Sequence, residues 1–143
     1  MKCIRVLAAL LLAIGLSACA GGMKYAEFQP KMPDQSTDVG RIFFYRPSAL
    51  GAAVRPDVML NDVKVGEAIS HGFFYIDRQP GEYQVATSTE VTRKLSFVLE
   101  RGQTRYVRFS ISLGFFVGHV YGELVEPDVG LKEIQGCKYT GAP

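Results

Sequence analysis

Between Thr104 and Leu113 the chain alternates, strictly so from Val107 onward. Val107, Phe109, Ile111 and Leu113 fall on one parity, and Arg108, Ser110 and Ser112 on the other. Side chains of an extended strand point to opposite faces with a period of two, so only a β-strand lets this stretch bury one face and wet the other. Shorter runs on either side repeat the pattern, separated by turn residues. That rhythm excludes a helical bundle and predicts an all-β domain.

The runs are readily placed. Gly40–Arg46 sets Ile42 and Phe44 on one face and Phe43 and Tyr45 on the other. Pro56–Leu60 and Val63–Ala68 flank Asn61-Asp62, a two-residue hairpin signal. Gly72–Arg78 ends at Gln79-Pro80-Gly81, and Glu82–Ser88 follows. Leu95, Phe97 and Leu99 alternate with Ser96 and Val98, then Arg101-Gly102-Gln103 turns the chain into the long strand. His119–Val125 is a last strand. Pro127–Ile134 reads as a short helix or turn, with Pro127 in its first turn and Gly136 beyond its end. The expected fold is a small antiparallel β-sandwich of about seven to eight strands, with a small barrel as the alternative.

The N-terminus is different. Lys2 and Arg5 precede Val6–Leu16, 11 apolar residues, whereas a bilayer-spanning helix needs about 20. The run closes on Leu16-Ser17-Ala18-Cys19, which resembles the bacterial lipobox. The resemblance implies a signal peptide over residues 1–18, cleavage between Ala18 and Cys19, and acylation of Cys19. Ala20 is not the aspartate associated with inner-membrane retention. The implied address is therefore the cell envelope, lipid-anchored at the outer membrane and facing the periplasm. Residues 19–39 then read as the lipidated end and a flexible tether. Gly21, Gly22, Pro30, Pro33, Asp34, Gln35, Ser36 and Thr37 show no apolar period. As a coil this length averages roughly 25 Å. Tyr25 and Phe28 are the two positions in it that could dock on the domain, which takes residues 40–143.

Cleavage changes the composition. Lys2 and Arg5 leave with the signal, so 14 of the 16 basic residues face 14 acidic ones and the formal balance is zero. No overall field draws such a chain to nucleic acid. Cys3 is removed and Cys19 acylated, so Cys137 is left alone and makes no internal disulfide.

From Gly40 onward the chain resembles a family of bacterial lipoproteins sharing domain of unknown function 2846. The resemblance is carried by Gly40-Arg41-Ile42-Phe43-Phe44-Tyr45-Arg46-Pro47, by the hairpin Leu60-Asn61-Asp62-Val63-Lys64-Val65-Gly66, and by Gly72-Phe73-Phe74-Tyr75. Pro80-Gly81-Glu82-Tyr83-Gln84-Val85 and Gly102-Gln103-Thr104-Arg105-Tyr106-Val107 complete it, although Arg105 stands where the family usually has an aromatic. A weaker similarity links the hairpin and Pro-Gly pattern to PEGA-like small β-sandwich domains. Neither resemblance transfers a catalytic residue.

The residues themselves suggest little chemistry. His71, His119 and Cys137 are far apart in sequence and follow no metal-ligand spacing, so no metal site and no cofactor is expected. Ser70-His71 are sequence neighbours without a nucleophile motif, and Glu82, Glu90, Glu100, Glu123 and Glu126 fall at strand ends and turns. Arg93, Lys94, Arg101, Arg105 and Arg108 gather near one turn, as a solvated strand face or a local anion site. Gly114, Gly118 and Gly122 punctuate an apolar stretch containing Phe115 and Phe116. Aromatics on both faces of 40–46 and 72–78 would leave Phe43, Tyr45, Phe74 and Ile76 in water unless the tether, the C-terminal segment or a partner covers them. With Arg105 and Arg108 they form the candidate interaction surface.

The leading expectation is thus a non-enzymatic envelope lipoprotein. It is held to the membrane through acylated Cys19 and binds or scaffolds an envelope protein or peptidoglycan. The alternatives are an envelope hydrolase using His71 or His119, or an assembly factor for a secretion or surface complex.

Overall fold

A computed structural model describes residues 20–113 and 118–141. Residues 1–19, over which a signal peptide and the Ala18–Cys19 cleavage site are expected, and Phe115 and Phe116 lie outside the described residues. Nine strands form two sheets: β1 Gly40–Arg46, β2 Asp57–Leu60, β3 Val63–Glu67, β4 Gly72–Arg78, β5 Gly81–Thr87, β6 Glu90–Leu99, β7 Thr104–Leu113, β8 Gly118–Val125 and β9 Lys138–Tyr139. One sheet runs β8-β7-β1-β4-β9 and the other β3-β2-β5-β6. The fold is a small all-β sandwich. The four-stranded sheet is antiparallel throughout. In the five-stranded sheet, β1 runs parallel to β7 and β4 parallel to β9. β8 meets both β6 and β5 across the sandwich edge, and at the end of β5 Thr87 Oγ1 donates to the Val120 carbonyl.

The expected turn chemistry is present. Asn61 and Asp62 both adopt left-handed backbone, φ 48° and 65°, which suits a tight two-residue hairpin. The interior between the sheets is apolar: Ile42, Phe44, Val58, Leu60, Phe74, Val85, Leu99, Val107 and Phe109 all lie in it. Gly66 presses on Phe74, where an added Cβ would fall 2.5 Å from the ring.

β1 is buried along its whole length, which a two-layer sandwich does not explain. A third layer does. Helix α1, Tyr25–Phe28, and helix α2, Pro127–Ile134, both cover the outer face of the five-stranded sheet. Tyr25 packs edge-on to Phe43 and Phe73, and Phe28 stacks on Tyr139 at 3.8 Å. α2 approaches closely because Gly130 lies over Tyr106; a Cβ there would sit 2.3 Å from the ring.

The flexible tether expected over 19–39 is therefore corrected for its described part. Residues 20–39 are a strap. The Ala20 N–H donates to the Ser70 carbonyl at 3.1 Å, and Tyr139 N–H to Met23 O at 2.7 Å. Farther along, Gln35 Nε2 donates to Val39 O and Gln103 O, and Arg101 pairs with Asp38 at 2.9 Å. Burial of Tyr25 and Phe28 overrides the coil-like composition. Two well-placed aromatics suffice to seat a short segment, and two residues make no period.

The strands define two poles. Arg46 pairs with Gly72, so the loop 47–56, the turn 68–71 and Ala20 share one pole. The Asn61-Asp62 and Gln79-Pro80 turns share the other.

Candidate functional site

The residues predicted to form one interaction surface do not form one. Phe43, Tyr45, Phe74 and Ile76 are all buried. Nor do they share a face. β1 and β4 pair as Ile42↔Ile76, Phe43↔Tyr75 and Phe44↔Phe74, which puts Phe74 and Ile76 inside the sandwich and Phe43 and Tyr45 under the helices. The strap and C-terminal segment cover the second aromatic face. Arg105 and Arg108 have opposite parity on β7 and separate likewise. Arg105 donates from Nε and Nη2 to the Val98 carbonyl at 3.3 and 3.1 Å.

Arg108 enters a half-buried polar cluster beneath α2. Its Nη1 donates to Glu133 Oε1 at 3.0 Å and its Nη2 to Glu123 Oε2 at 3.3 Å. Ser110 donates to Glu123 Oε2 at 2.7 Å, and the Tyr45 hydroxyl to Glu133 Oε2 at 2.6 Å. Burial, reinforced by that bond, pushes the Tyr45 hydroxyl far above the ordinary tyrosine range. Two carboxylates, a guanidinium and two hydroxyls thus bond mainly to one another. They clasp the helix to the sheet rather than face a substrate.

The remaining expected chemistry is dispersed. Arg93 lies over Tyr121 at 4.2 Å, and Lys94 pairs with Asp62 at 3.7 Å. His71 adopts left-handed backbone, φ 53°, and its carbonyl accepts from Lys138 N–H. His119 Nδ1 sits 2.8 Å from Thr89 O and 3.8 Å from Glu90 Oε2. Among the described residues no group of three or more His, Cys, Asp or Glu is placed to hold a metal ion. Cys137 is fully buried, and burial pushes its thiol up to about 12, which removes it from thiolate chemistry.

What remains open is a groove on the outer side of the four-stranded sheet at the second pole. It encloses about 580 Å³ and is lined by Asn61, Asp62, Glu82, Tyr83, Gln84 and Ser96, with Phe97 and Val98. Its walls are fixed. Asn61 Oδ1 accepts from Gln84 N–H at 2.8 Å and Asn61 Nδ2 donates to Glu82 O at 3.3 Å, latching the hairpin turn onto β5. The Tyr83 hydroxyl donates to Gln79 O at 2.7 Å, and its ring centroid lies 6.3 Å from that of Phe97. Gln84 and Ser96 face each other across β5 and β6. Sequence reasoning assigned Asn61-Asp62 only a turn, Gln84 only a place in the Glu82–Ser88 strand, and Ser96 only the parity opposite Leu95, Phe97 and Leu99. The signal available was a polar parity on β5 and β6, Glu82, Gln84 and Ser96, beside the Asn61-Asp62 turn.

Residues 36–120 match the family described as protein of unknown function (DUF2846). An uncharacterized protein of Haemophilus influenzae is 31% identical over 94 residues, covering 65% of this chain and 56% of the relative. The matched region thus spans little more than half the relative's length. No solved structure matches the chain.

Proposed function

The chain belongs to the DUF2846 family, and we propose that it is a membrane-anchored envelope lipoprotein whose sandwich binds another envelope component without catalysing a reaction. The anchor is acylated Cys19, carried by the Leu16-Ser17-Ala18-Cys19 signal. The binding surface is the groove at the pole opposite Ala20, and its pre-formed walls are the observation that supports the reading.

Its chemistry favours the glycan of peptidoglycan over a protein. Amide and carboxylate groups from Asn61, Asp62, Glu82 and Gln84 line the groove together with Ser96 and Val98. Such groups hydrogen-bond sugar hydroxyls, and exposed Val98 offers a small apolar surface to the sugar's apolar face. The mature, acylated protein in detergent should co-sediment with purified sacculi, and Gln84→Ala with Ser96→Arg should reduce the bound fraction several-fold. Absence of sedimentation, together with in-cell crosslinks from position 84 to a protein, would replace the glycan by a protein partner. For the anchor, Cys19→Ala should abolish fatty-acid labelling; persistent labelling would sink it.

A further inference from the structure

The residue after the acylation site has no slack. Ala20 is 4% exposed and its N–H is bonded to Ser70 O. Cys19 is one peptide unit away, and successive Cα atoms are about 3.8 Å apart. An acyl chain on Cys19 therefore brings this pole itself to the bilayer, not a domain on a leash.

The surface beside that point is the loop 47–56. Ser70, which accepts from Ala20, also donates from Oγ to Ser48 O at 2.8 Å. The loop reads Pro47-Ser48-Ala49-Leu50-Gly51-Ala52-Ala53-Val54-Arg55-Pro56, with Arg55 its sole charged residue. Leu50 is 53% exposed, and Met23 on the adjoining strap 41%. Isolated exposed apolar residues are ordinary on a soluble surface. Here they flank the lipid attachment point.

The loop is also built to enter an interface. Arg46, 1% exposed, spends its guanidinium on four main-chain carbonyls: Leu50 at 2.7 Å, Gly51 at 2.9 Å, Val54 at 2.7 Å and Ala68 at 3.1 Å. Ala52 N–H donates to Ala49 O, Val54 N–H to Gly51 O, and Leu50 N–H to Ser48 Oγ. Main-chain groups already paired inside the protein lose little when water is withdrawn. The buried cation thus holds Leu50 outward on a loop in which the carbonyls of Leu50, Gly51 and Val54 and the N–H groups of Leu50, Ala52 and Val54 are already paired.

We propose that the loop 47–56 rests among the lipid headgroups with Leu50 reaching the acyl region, so that the sandwich stands on this pole with its groove turned away from the membrane. This rests on acylation of Cys19. The test uses the full-length protein, processed in cells and reconstituted in phosphatidylethanolamine–phosphatidylglycerol vesicles, with Leu50→Cys or Val98→Cys carrying a polarity-sensitive fluorophore. Buried Cys137 should not label. The Leu50 position should shift to blue emission and be quenched several-fold more by lipid-borne nitroxides than the groove-side Val98 position. Equal, water-like emission at both positions, with mass spectrometry showing acylated Cys19, overturns the orientation and leaves the anchor standing. Blue emission at both positions overturns the orientation as well. An unacylated Cys19 removes the anchor, and the orientation with it.

Discussion

The molecule has two cores of different chemistry, one on each side of the five-stranded sheet. Between the sheets lie Val, Leu, Ile and Phe, and none of the fully buried members carries a titratable group. Under the strap and α2 lie Tyr25, Tyr45, Tyr106 and Cys137 with Phe28, Phe43, Phe73 and Ile134. The first core joins strands that must pair for the sandwich to exist. The second joins that sandwich to two short segments, of 4 and 8 helical residues, too short to hold themselves. The inner core therefore sets global stability, and the outer layer sets whether the strap and helix stay docked.

The largest expected effect lies in the inner core. Phe44 is fully buried and stacks on Phe74 and Phe109 at 4.9 and 6.1 Å. Phe44→Ala should cost about 3–5 kcal/mol in denaturant unfolding, with one cooperative transition retained. In the outer layer, Phe28→Ala should cost about 3 kcal/mol, at the low end of that range, because the strap can peel away instead of leaving a cavity. Its distinguishing sign is local. Trypsin should cut at exposed Lys24 and Lys31 faster, while the body of the sandwich stays intact. If Phe28→Ala lowers the global midpoint as Phe44→Ala does and cleavage at those lysines is unchanged, the two cores are one unit.

The inner core was legible because alternation, turn residues and β-branched runs all report the same two-fold period. β1, β4 and β7 fall where the pattern predicts, as does α2. The outer layer was only half legible. Aromatics on both parities of β1 and β4 announced a second buried face, but Tyr25 and Phe28 are two residues in a glycine- and proline-rich stretch. Register also escaped. Which of Phe73 and Phe74 shares a face with Phe44 depends on how β1 and β4 align, and the pairing Phe44↔Phe74 is a tertiary outcome. The groove was hidden for a similar reason: its lining comes from one turn and two strands that only strand pairing brings together.

A subtler break targets the helix. Gly130 faces Tyr106, and a side chain there must displace the ring or lift α2. Gly130→Val should cost about 1–3 kcal/mol. Hydrogen exchange should quicken in Pro127–Ile134 while β2 and β5 keep their protection. Equal loosening of all three would mean that α2 is no separate layer.

The smallest effect separates the cores by pH. Burial pushes the Tyr106 hydroxyl up to about 12, and Tyr25 and Tyr45 also lie above the ordinary range. In the unfolded chain these hydroxyls ionise near about 10. Above that pH the unfolded chain binds fewer protons than the folded one, so stability falls as pH rises. The contribution is fully present below about pH 10 and drains away as pH climbs toward the folded values. The inner core has no such group among its buried members. Tyr45→Phe removes one hydrogen bond to Glu133, whose other oxygen still accepts from Arg108, and should cost about 1 kcal/mol at neutral pH. It also removes one raised hydroxyl, so stability should fall less steeply from pH 9 to 11 than in the parent. Phe44→Ala lowers stability at every pH and should leave that slope unchanged. Urea titrations of all three proteins across this range decide the matter. Parallel slopes for Tyr45→Phe and the parent would show that Tyr45 reaches water before the sheets part, and that the outer layer opens ahead of global unfolding.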